Sequence, residues 1–224
     1  MSNLRLIAFM AALTLPSISF AAAAAAADAT SEDLRMFFLN NRKDTVGGTI
    51  LHNAAYKNES ATIQKIFTVA SALAIPPFEL IKMQDWGGNT ALHSAIYNKS
   101  HAAIQSILSY IESSTDLLKL LSIQTSMKEG GVEIKETVLH IAAKSDRFVP
   151  CLELIMVVLN KAINSDPFGC LDLLGIKNKN GRTALEKAKH NGEFAKKIAD
   201  MLERAEFDAQ ASAALLATAT LYEE

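Results

Sequence analysis

Cysteine, tryptophan, proline and glycine are all scarce in this chain. Of 224 residues two are cysteine, one is tryptophan, five are proline and ten are glycine. Two cysteines, Cys151 and Cys170, allow at most one disulfide, so the chain is no cystine-stapled scaffold. Their spacing fits no metal-binding pattern. A bridge across the intervening segment and two buried free thiols are both open readings. So few glycines and prolines disfavour a sandwich of short strands and tight turns. Aromatics make up 7% of the chain against 50% hydrophobic residues overall, so the apolar material is mostly aliphatic and suits packed helices. Charge of one sign is lacking too. The formal net charge is −2, and no run of basic residues supplies the footprint of a phosphate-backbone binder. Nucleic acid is not an expected partner.

Catalytic patterns are also missing. There is no G-x-S-x-G elbow, phosphate-binding loop, H-E-x-x-H or dinucleotide fingerprint. Gly87-Gly88 and Gly130-Gly131 read as turns that lead into no phosphate-binding helix. A Cys–His nucleophile built from Cys151 and a remote histidine stays open, although Cys151 reads better as a core residue opening an apolar helix. No catalytic, cofactor-binding or metal-binding residue is assigned, and the chain is expected not to be an enzyme.

The first residues differ from the rest. Arg5 precedes an uncharged, largely apolar stretch from Leu6 to Phe20, and Ala21 to Ala27 follows as an all-alanine run. A basic start, an apolar centre and small residues at the end are the parts of a secretory signal peptide. Residues 1–27 are therefore expected to be a signal, which makes the mature protein periplasmic or secreted and of bacterial type. The competing reading is an uncleaved anchor, because Leu6 to Ala27 carries no charge over a length that just spans a bilayer. Pro16 and the alanine tail weaken it, so no membrane association is expected of the mature form.

Sliding the chain over itself aligns four segments: Gly47 to Ala55 (GGTILHNAA), Gly88 to Ile96 (GNTALHSAI), Lys135 to Ala143 (KETVLHIAA) and Gly181 to Lys189 (GRTALEKAK). Their threonines, Thr49, Thr90, Thr137 and Thr183, recur at intervals of 41, 47 and 46. Each position has a physical reason. Threonine caps the start of a helix, glycine two residues earlier permits a turn, and the leucine and small alanines give one helix face that tolerates close approach. A second apolar helix is expected after each segment, at Ile63–Phe67, Ile104–Leu108, Leu152–Leu159 and Phe194–Leu202. Such short helices cannot bury their apolar faces alone, so the pairs must stack.

The shared frame G-x-T-x-L-H-x-A-A resembles the ankyrin-repeat family, whose units carry T-P-L-H-x-A at the start of their first helix. The resemblance implies an all-α solenoid of stacked helix-turn-helix units. The period exceeds the family's usual one, so long insertions are expected at about 72–83, 112–135 and 162–177. Two of them read as locally helical: Asp166-Pro167 places a cap before a first-turn proline, and Leu117 to Leu121 is an apolar run. The third unit has Lys135 where the others have glycine, and an irregular turn is expected there. The fourth has Glu186 in place of the signature histidine. Residues 28–46 are expected to form an N-terminal capping helix, opened by Thr30, Ser31 and Asp33. The repeat domain then covers 47–206, and 207–224 form an alanine-rich helical tail.

His52, His93 and His140 recur at one repeat position. Packed helices lie about 8–10 Å apart, whereas zinc holds nitrogen ligands at about 2 Å, so the three cannot converge on one ion. In the family this histidine ties one turn to the next. What the resemblance implies for function is protein binding by a monomeric adaptor, through the turn tips and the exposed face of the first helices. On that map the partner-binding candidates are Asp85, Trp86 and Asn89 in the second turn, Tyr56, Tyr97 and Lys144 after the signature helices, and Lys179 and Arg182 in the fourth turn. Trp86, Tyr97 and Tyr56 would form an aromatic patch; the opposite reading has them packing locally on their own turns. A secreted effector acting on host proteins and a periplasmic accessory or chaperone of an enzyme remain alternative settings for the same binding role.

Overall fold

A computed structural model describes residues 46–126, 128–129 and 132–221. The expected export signal, and all of the expected capping helix up to residue 45, lie outside the described residues. The described chain is all-α apart from one pair of two-residue strands. Its helices are α1 (Ile50–Tyr56), α2 (Ser60–Ala72), α3 (Pro77–Ile81), α4 (Ala91–Tyr97), α5 (His101–Leu108), α6 (Ser114–Ser122), α7 (Val138–Ala142), α8 (Val149–Ser165), α9 (Pro167–Leu174), α10 (Ala184–His190) and α11 (Lys196–Leu221).

Each of the four threonines is the N-cap of a first helix: Thr49 for α1, Thr90 for α4, Thr137 for α7 and Thr183 for α10. The backbone turn before each cap needs a left-handed residue. Gly47, Gly88 and Gly181 supply it at φ near +70°. Lys135 adopts the same conformation at φ +53° despite its side chain, while the third finger itself departs from the others by the inserted strand pair Lys128–Glu129 and Val132–Glu133. A second left-handed position, nine residues after the threonine, turns the chain between first and second helices. Asn58, Lys99 and Gly192 hold it at φ 60°, 55° and 60°. In the third unit that place falls to Asp146, inside a short 3-10 turn.

Helices α1, α4, α7 and α10 pack in sequence, each on the next, and α2, α5, α8 and α11 form a second row. The insertions supply a third row: α3 packs on α2, α6 on α8, and α9 on α6, α8 and α11. The core lies between the rows. Leu51, Leu92 and Leu139 of the repeated frame are buried together with Ile63, Ile104, Leu152 and Ile155 of the second row. Burying each such side chain contributes about 1.5–3 kcal/mol. Ala54, Ala55, Ala95, Ala142 and Ala143 are buried where first helices approach one another. Helix α8 with its preceding turn is long and apolar enough to cross a membrane, but Cys151, Leu152, Ile155, Leu159, Ala162 and Ile163 are buried against its neighbours. Cys151 and Cys170 are both free and buried.

Two expected boundaries shift. The last second-row helix begins at Lys196, after a 3-10 turn over Gly192–Ala195 that leaves Phe194 exposed. That helix then runs unbroken through position 206 to Leu221, with Ala209 and Ala213 still buried, so the tail continues the stack's final helix.

Candidate functional site

The threonine–histidine pair at each cap builds the connection between layers. The Thr49 backbone N–H donates to Nδ1 of His52 at 3.1 Å, and the equivalent bonds from Thr90 to His93 and from Thr137 to His140 are 3.2 and 3.3 Å. Because a backbone N–H can only donate, Nδ1 must carry the lone pair and Nε2 the proton. Nε2 accordingly donates to a carbonyl of the next turn: His52 to Asn89 at 2.9 Å, and His140 to Arg182 at 3.0 Å. The His93 ring is turned toward the carbonyls of Glu136 and Ile123, without a hydrogen bond of full geometry. Full burial lowers the His93 pKa to about 4, and burial lowers that of His140 as well. In the last layer the Glu186 carboxylate takes the ring's place and accepts from the Thr183 N–H at 2.8 Å. Of the histidine's two bonds, the glutamate keeps the capping one.

The turns form a row of fingers. A side chain at one repeated position closes three of them. Asp85 Oδ1 accepts from the N–H groups of Gly87 and Asn89, both at 2.8 Å. Asn178 Oδ1 accepts from those of Asn180 and Arg182, and Thr125 Oγ1 from that of Glu136. Each finger also bonds the one before it: Trp86 N–H to the Val46 carbonyl at 2.9 Å, Ser126 to Gly87 at 2.8 Å, and Lys179 to Ile134 at 3.1 Å. The third finger is extended by the short antiparallel pair β1 (Lys128–Glu129) and β2 (Val132–Glu133).

The eight candidate residues divide on this framework. Asn89 is only 8% exposed, with its carbonyl bonded to His52 and its amide to Asp85, so it supports the turn from within. Asp85 likewise spends its carboxylate inside its own finger. Trp86 at 70%, Tyr56 at 57% and Tyr97 at 36% are exposed. Among the described residues none of these three rings stacks on another, and the stacked ring pair there is Phe67 with Tyr110. Trp86 instead lies against Gly47 of the preceding finger. Tyr97 and Lys144, at equivalent places in successive layers, do meet, with Lys144 Nζ 5.4 Å from the ring centre. Burial, then the charges of Glu136 and Asp85, raise the Tyr97 pKa to about 12, so the ring is a neutral phenol around neutral pH. Lys179 is exposed and Arg182 half-buried.

Glu136 was invisible to the repeat pattern, since it occupies the variable place before the threonine. It is buried, yet it joins two layers. Lys187 of α10 is hydrogen-bonded to Oε1, and Lys144 lies 3.7 Å from Oε2. Desolvation lowers the Lys187 pKa, opposed by the Glu136 carboxylate. Fingers and first-helix ends thus share one face. Aromatic side chains dominate it in the first two layers and cationic ones in the last two.

No protein-family model matches the sequence, and no curated protein matches it.

Proposed function

We propose that this chain is an exported ankyrin-repeat protein that binds another protein through its finger face and has no catalytic activity of its own. Trp86, Tyr56 and Tyr97, exposed on the fingers and first-helix ends of the first two layers, carry the reading. Large rigid aromatics that give up water without losing much rotamer freedom are the usual anchors of protein interfaces. Support for the family comes from the repeated cap, the left-handed residue before it in all four units, and the histidine bonds from layer to layer. Most polar groups in the fingers are already engaged within the framework. That gives a stiff platform, which keeps the entropic cost of binding low.

The test is affinity capture from extracts of the source cells, comparing wild type with the double variant Trp86→Ala, Tyr97→Ala, and sequencing the processed N-terminus of the same sample. A partner held by wild type and lost by the folded double variant supports the reading. Equal capture by both moves the binding surface off the finger face, and a mature protein starting at Met1 removes the signal peptide.

A further inference from the structure

We infer that the partner segment is polarised, with apolar or aromatic side chains on the first two layers and a cluster of carboxylates on the last two. This deepens the proposed protein-binding role and rests on it.

The charges that support this are scattered in sequence and gathered by the fold. Gln124 Nε2 donates to the carbonyls of Lys135 and Lys177, both at 2.9 Å, which sets those two exposed lysines side by side. Arg182 follows in the same finger as Lys177, and its carbonyl is held by His140 of the layer before. On the helix side stand Lys144 and Lys187. Two carboxylates of these elements are already committed, and Glu129 and Glu133 belong to the strand pair of the third finger. Glu186 caps α10, and Glu136 is hydrogen-bonded by Lys187, which is only 13% exposed. Glu136 and Lys187 cancel, so Lys144 is left as net positive charge. Its side chain is 46% exposed and its ammonium, at 3.7 Å from Glu136, is too far for a hydrogen bond, so it can turn to a partner's carboxylate at little cost. Lys135, Lys177 and Arg182 add three more charges without an ion pair among the described residues.

At the other end Trp86 and Tyr56 offer apolar area, and Tyr97 beside Lys144 marks the junction. Complementary charge raises association rate and fixes register, while aromatic anchors supply affinity. A segment with acids at one end and apolar groups at the other therefore has one favoured direction of binding. A nucleic acid fits less well, because its charge is uniform along its length while this face sets its aromatic side chains at one end and most of its cations at the other.

The experiment is selection of displayed random dodecapeptides on the full chain, on a variant carrying Lys144→Gln, Lys177→Glu and Arg182→Glu, and on the Trp86→Ala, Tyr97→Ala variant, each checked for an unchanged circular dichroism spectrum. Wild type is expected to enrich peptides with Asp and Glu grouped at one end and Phe, Tyr or Leu at the other. A synthetic copy should lose at least about tenfold in affinity between low and high salt. The charge variant is expected to lose the acidic enrichment and keep the apolar one, and the aromatic variant the reverse. Peptides without acidic enrichment, or with enrichment that survives charge reversal, overturn the inference. If those peptides still depend on Trp86 and Tyr97, the protein-binding reading stands without it. If they depend on neither set, or none is enriched, both fall. Tighter binding of a single-stranded oligothymidylate or of phosphatidylglycerol vesicles than of any selected peptide also overturns it.

Discussion

The Trp86 indole occupies the space where a β-carbon on Gly47 would stand: a methyl group built there comes within 2.4 Å of Nε1 and 2.5 Å of Cδ1. The Trp86 N–H meanwhile donates to the carbonyl of Val46. The most exposed of the candidate anchors is therefore fixed to the preceding finger by its backbone and the face of its pyrrole ring. Local packing and availability to a partner are compatible here, because the residue is still 70% exposed.

Gly47→Ala tests that contact. Its φ of +74° is unfavourable for alanine, and the new methyl displaces the indole, so a loss of about 1–3 kcal/mol is expected in a urea melt. In a Trp86→Ala background the steric part vanishes and about 1 kcal/mol of backbone strain should remain. Trp86 is the only tryptophan, so its fluorescence reports the displacement directly. An equal loss in both backgrounds would show that the indole does not sit on Gly47.

Lys135→Gly is expected to stabilise. A lysine in the left-handed region costs about 1–2 kcal/mol, while glycine adds about 0.4–1 kcal/mol of unfolded-state entropy. The balance is a gain of about 0.5–1 kcal/mol. A destabilised variant in the same melt would mean that the lysine side chain supports the third finger in a way its exposure does not suggest.

Acid should loosen the stack. His93 titrates at about 4 in the folded protein and near 6.5 when unfolded, so between those values the unfolded chain binds the extra proton. Its contribution is complete above pH 6.5 and is lost as pH falls toward 4, by about 3 kcal/mol in all. His140, also lowered, acts in the same direction. Asp85 and His52 oppose each other around the ring, so burial sets the sign. Urea melts from pH 7 to 4.5 should show a steeper decline for wild type than for His93→Gln. Parallel declines would assign the acid sensitivity to other groups.

The framework was legible because its chemistry repeats. Threonine caps, buried leucines and alanine contacts follow from residue type alone, and Leu139→Ala should accordingly cost about 2–5 kcal/mol. The second left-handed turn was not legible, since Asn58, Lys99 and Gly192 share a backbone angle and no side-chain type. Asp85 and Asn89 looked like contact residues because turns are normally solvent-exposed. Their hydrogen bonds within the finger appear only when the turn is closed. Glu136 lies 51 residues from Lys187, and no local pattern brings such a pair together.

That pair sets a last test, and it bears on the charge of the proposed binding face. Glu136→Gln leaves the Lys187 ammonium nearly buried without a counter-charge, which should cost about 3 kcal/mol. Made in a Lys187→Met background, the same change removes a carboxylate that has already lost its partner, and the loss should shrink to below about 1 kcal/mol. The coupling energy from this cycle measures how far Lys187 neutralises Glu136. A coupling under about 0.5 kcal/mol would mean that solvent screens the pair. Glu136 would then be free to hold Lys144, and the uncompensated positive charge of the three groups would rest on Lys187 instead.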